Sequence, residues 1–123
     1  METIIWSCQI LLALAFFYSG ICKALFEKNK VISIGQTGVA NISVFTMRLI
    51  GALELLGTAG IILPWYTNII PVLTPVTAVC FALLMILAAR VHYKLKEPKN
   101  VRNNMLLLLL SIAVAYFRFR QLQ

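Results

Sequence analysis

Apolar residues dominate four stretches of the chain with few interruptions: Ile4 to Cys22, Ile42 to Leu63, Ile69 to Ala89 and Met105 to Phe117. Crossing a bilayer core takes about 20 mostly apolar residues at 1.5 Å of helix rise each. The first three stretches meet that length. The fourth needs Asn103 and Asn104 at one end and an Arg118 snorkelling to the interface at the other. The pattern predicts an all-α, integral membrane four-helix bundle, one membrane domain over 1–123 with spans near 4–22, 42–63, 69–89 and 103–119. The leader Met1-Glu2-Thr3 has no basic region, and no small-residue cleavage site precedes Lys23, so the first stretch reads as a retained helix.

Composition strengthens this class. The chain is 61% hydrophobic and 12% charged, with a mean hydropathy of +0.90, against roughly 25% charged in soluble domains. The net charge of +7 invites a nucleic-acid reading, but its distribution opposes one. Lys23, Lys28 and Lys30 follow the first span, and Arg90, Lys94, Lys96, Lys99 and Arg102 lie between the third and fourth. Only Arg118 and Arg120 fall on the opposite side. That asymmetry is the positive-inside pattern. It predicts loops 23–41 and 90–102 in the cytoplasm, with the lipid bilayer as first partner and anionic headgroups near the basic face. No DNA- or RNA-reading motif is present, so no nucleic-acid partner is expected.

Aromatic residues mark the other interface. Trp6, Trp65, Tyr66, Tyr116 and Phe117 fall on one side if four spans alternate in direction. Pro64 is expected to stop the second helix and Pro71 to open the third, with Pro75 a turn further in and able to kink it. The segment from Ala24 to Asn41 is charged at first and uncharged afterwards. An interfacial helix, a partly re-entrant loop and an ordinary loop all fit it.

Glu54 stands near the middle of the second span, where a charge costs about 2.5–3.5 kcal/mol on insertion scales. Residues three, four and seven away include Met47, Ile50, Gly51, Gly57, Thr58 and Ile61. The small residues among them let a second helix approach, so this face belongs inside the bundle. Arg48 lies about 120° around the helix from Glu54, too far for an intrahelical pair, and is placed to snorkel. Antiparallel packing brings Lys23, Arg48, Arg90 and His92 to similar depth, with Glu54 roughly 9 Å deeper than Arg48. Two readings follow: a polar pocket with Glu54 at its floor, or a structural acid, neutral or hydrogen-bonded to a nearby hydroxyl, that pins the helices.

Other chemistry is thin. Cys8 and Cys22 are roughly 21 Å apart on one helix, beyond disulfide reach, and Cys80 is mid-span. One histidine, four acids and three scattered cysteines form no metal-ligand spacing. Nucleotide fingerprints are missing as well.

Several residues nevertheless form a recognisable set. Phe17-Tyr18-Ser19-Gly20 and Lys23 close the first helix; Arg48, Gly51, Glu54 and Gly57 follow an R-x-x-G-x-x-E-x-x-G pattern, with Gly60 and Pro64 beyond. Prolines open the third helix, His92 ends it, and a basic loop precedes a leucine-rich fourth. In these features the chain resembles the DoxX-like membrane proteins over nearly its whole length. One departure is Tyr116-Phe117-Arg118, where similar proteins often end in Gly-Arg. The resemblance implies a four-helix bundle in the bacterial inner membrane. It implies a polar site at Lys23, Arg48, Glu54 and His92, with Tyr18 beside it, and helix packing through Gly20, Gly51, Gly57 and Gly60. Members are linked to quinone-coupled sulfur oxidation and redox membrane complexes, and distant relatives to receptor assembly.

Three functions are consistent with these residues. The first is a non-catalytic accessory or assembly factor, partnered by another membrane protein or by further copies of itself. The second is a membrane subunit of a quinone-linked oxidoreductase, with quinone or another apolar ligand near Glu54 as its only expected cofactor. The third is a small proton-coupled multidrug exporter. That family carries its acid in the first helix and has less lopsided loops. No self-sufficient catalytic set is evident, so an enzyme acting alone is not expected.

Overall fold

The computed structural model describes residues 1–123. Four long helices form the body: α1 (Glu2–Leu25), α3 (Val44–Thr67), α4 (Leu73–Lys94) and α5 (Pro98–Gln121), with a short α2 (Lys28–Ser33) and a 3-10 turn (Thr37–Val39) after α1. All four long helices are long and apolar enough to cross a membrane. Leu14 at 63% exposure and Leu56 at 70% point outward. Such a leucine-covered surface suits lipid, where outward apolar groups carry no penalty. The protein is an all-α integral membrane bundle.

Helix α1 lies along α3 and α4 along α5, while α3–α4 and α1–α5 close the bundle. The α1–α3 crossing depends on glycine. A Cβ on Gly51 would sit 2.6 Å from the Ala24 backbone nitrogen, and one on Gly20 would sit 2.9 Å from the Gly51 carbonyl oxygen. Backbone therefore meets backbone here, as small residues allow in lipid. Further along α3, the Phe81 ring rests on Gly57 and Thr77 faces Gly60. Leu12, Phe16, Ile61, Ala78, Phe81, Met85, Val114 and Ala115 fill the centre, with the Phe16 and Phe81 rings stacked at 3.8 Å.

The segment after α1 is neither re-entrant nor a plain loop. It is a short helix and a turn laid over the basic end of the bundle, anchored by the buried Val31 and Val39 against Cys22 and Met47. The uncharged half of this segment thus has its reason in burial.

Three expectations need correction. Pro64 does not stop α3, which continues to Thr67. A helical proline leaves the carbonyl four residues earlier without a donor, and here the Thr74 hydroxyl donates to the Gly60 carbonyl at 3.2 Å. Pro71 precedes α4, which begins at Leu73, and Pro75 falls in its first turn. Early amides have no intrahelical partner, so this proline removes nothing and gives no reason for a kink. Arg118 does not snorkel. It is wholly buried.

Candidate functional site

Glu54 projects from α3 into the bundle and is 2% exposed. Its carboxylate accepts a hydrogen bond from the Lys23 ammonium, Nζ to Oε1, at 2.7 Å. The close Gly20–Gly51 crossing explains why the pair can form. It draws the end of α1 onto α3 one turn before Glu54, within reach of a lysine stem. Lys23 also donates to the Ser19 hydroxyl at 3.0 Å, and Ser19 in turn faces Gln36 Oε1 at 3.4 Å. Thr58 donates to the Glu54 backbone carbonyl, while the Glu54 side chain itself meets the Lys23 ammonium.

A cavity of about 470 Å³ lies beside this pair, in the basic half of the bundle. Lys23, Glu54, Tyr18, Ser19, His92 and Asn104 supply polar groups to its wall, and Phe16, Met85 and Leu107 supply apolar ones. Asn104 Nδ2 is shut away from solvent with no acceptor. Buried amide donors ordinarily find an acceptor, so this one faces the cavity with hydrogen-bonding capacity to spare.

The sequence-derived residues separate into groups. Lys23, Glu54, His92 and Tyr18 all line the cavity. Arg48 lies outside its lining and caps α1 instead, donating through Nη1 to the carbonyls of Lys23 at 3.1 Å and Phe26 at 2.6 Å. A cation there satisfies carbonyls that the helix end leaves free and complements its dipole, so Arg48 does not snorkel. Arg90 is exposed and also lies outside the lining. Gly20 and Gly51 hold α1 to α3, while Gly57 and Gly60 face α4.

Two sets of polar contacts, one of them around the predicted His92, were missed from sequence. The first ties the covering turn to the end of α4 beside the cavity. His92 Nδ1 donates to Glu97 Oε1 at 2.7 Å, and the Thr37 hydroxyl from the covering turn reaches the same carboxylate at 2.7 Å. Bonds from His92 and then Thr37 hold the Glu97 carboxyl below its ordinary value. The second lies at the opposite end. Arg118 donates to Gln9 Oε1 at 2.7 Å, to Glu2 at 2.8 Å and to Gln121 at 2.6 Å. Its guanidinium lies 4.4 Å from the Trp65 ring centre and 5.3 Å from that of Trp6. Gln9 was the available signal: a lone amide inside an apolar helix, near the level where α5 ends.

No cluster of metal-ligating side chains is present. No curated protein and no solved structure matched the chain. A model of the DoxX-like family matches residues 7–114, which takes in the Lys23–Glu54 pair, His92, Asn104 and all four long helices in whole or large part. The chain therefore belongs to the DoxX-like family.

Proposed function

We propose that this protein is a non-catalytic accessory subunit of a larger membrane complex, and that its pocket around Glu54 holds a lipid-soluble ligand with a polar, acceptor-bearing head. A quinone is the chemical class that suits it. The observation that carries the reading is an ion pair on the wall of a roomy, largely apolar cavity, where a purely structural pair would be packed on all sides. Quinone carbonyls accept hydrogen bonds, and Asn104 Nδ2 and Lys23 are donors on that wall. Phe16 and Leu107 offer apolar contact to a ring. When bound, a quinone would supply two-electron redox chemistry; the chain's own groups would bind and orient the head. The basic loops at that end of the bundle support a cytoplasmic placement of it.

Glu54→Gln tests this. The variant keeps the shape of the side chain and removes its charge, so Lys23 is freed from its pair. We expect normal expression and helix content, with altered affinity for a short-chain benzoquinone. Unchanged stability of the wild-type protein on adding benzoquinones, with no quinone in its extracted lipid, would sink the ligand reading. The accessory reading is sunk separately, by repeated recovery of the protein alone under mild detergent.

A further inference from the structure

A second concavity, about 680 Å³, runs along the outer seam between α3 and α4. Ile50, Glu54 and Leu84 line both it and the polar cavity. The two spaces therefore share a wall, with the acid at their junction. Away from Glu54 and Thr77 the seam is apolar: Leu53, Leu56, Leu63, Val76 and Leu73 are among its walls. The Phe81 ring seated on Gly57 acts as a spacer between the helices, and its stacked partner Phe16 lines the polar cavity. From Ile50 to Leu63 the groove follows α3 for roughly 20 Å of helix rise.

Resting on the pocket reading above, we infer that the ligand is a long-tailed amphiphile that enters from the bilayer between α3 and α4. Its polar head lies beside Glu54 and Lys23, and its hydrocarbon tail lies in the α3–α4 groove. Lipid chains are as apolar as this groove, so transfer of the tail contributes little affinity by itself. What the groove supplies is a berth for the tail. A head anchored at Glu54 can keep its tail in hydrocarbon without exposing it at the basic surface.

The test uses the full chain in detergent and two probes: a tail-less methoxy-substituted benzoquinone, and the same ring carrying a decyl chain that ends in a diazirine. Photolysis and peptide mapping should place the label on Leu53, Leu56, Val76 or Cys80, and an excess of the plain decyl quinone should compete it away. Cys80 is exposed on the groove wall, so Cys80→Trp narrows the groove without overfilling the core. This variant should move the competable label off the groove residues and leave binding of the tail-less ring unchanged. Label spread over the outward leucines of α1 and α5, or groove label that excess quinone does not displace, overturns the inference. If the tail-less ring still binds in that case, the pocket reading survives. If neither probe binds the wild-type protein, the pocket reading itself is lost.

Discussion

The Lys23–Glu54 pair is unequal in a way that can be measured. Glu54 is 2% exposed and Lys23 18% exposed, so the carboxylate depends on its partner more than the ammonium does. Lys23→Met strands the acid and should destabilise the protein by about 3–5 kcal/mol, the usual loss when one member of a buried pair is removed. Glu54→Gln leaves Lys23 with Ser19 and access to the cavity, and should lower the unfolding temperature less. Thermal unfolding in detergent ranks the two, and the reverse order would show that the pair is not anchored at the acid. Sequence reasoning found both residues but not their bond. Lys23 and Glu54 are remote along the chain, and a depth argument gives only a common level. It placed Arg48 at that level too, although the guanidinium turns away to cap α1. Side-chain direction separates them, and no periodicity reports it.

At the level of the elements, Pro64 and Thr74 act together. The proline would leave the Gly60 carbonyl bare inside the bundle, and the Thr74 hydroxyl of α4 supplies the missing donor. Thr74→Val should therefore cost about 1–3 kcal/mol, the price of an unsatisfied buried carbonyl. In a Pro64→Ala background, where a backbone amide is restored, the same change should be nearly silent. A double-mutant cycle measures this coupling, and additive effects would rule it out. From sequence, Pro64 read as a terminator because the donor that rescues it belongs to another helix. The covering segment teaches the same lesson. Its lack of charge was visible, but Val31 and Val39 gain a burial site only when α1 and α3 meet beneath them.

Across the whole molecule, each end of the bundle carries its own polar fastening. At one end Arg118 joins α1 and α5 through Glu2 and Gln9 and stacks against Trp65 of α3. At the basic end Glu97 ties the covering turn to α4 through Thr37 and His92. The lowered Glu97 value sets the sign of a pH effect. Because the folded value lies below the unfolded one, the stabilisation is complete above the ordinary carboxylate range and is lost as pH falls through the folded value. Hydrogen exchange of amides 37–43, corrected for intrinsic rate, should stay slow at neutral pH and quicken only in that acid window. Glu97→Gln should quicken it at neutral pH and flatten the dependence. A cover equally protected in the variant would show that Val31 and Val39 hold it alone.

Hydropathy by itself determined the class, the four spans and the inward face of Glu54, because lipid imposes a length on helices and a penalty on any outward charge. Loop charge and small-residue spacing added the expected sidedness and the face on which helices pack. Tertiary structure decided which cation meets the acid, why a proline can remain inside α3, and that Arg118 is enclosed between aromatic rings. Those outcomes depend on contacts between residues far apart in the chain, each made possible by where another helix happens to place a hydroxyl, a ring or a bare stretch of backbone.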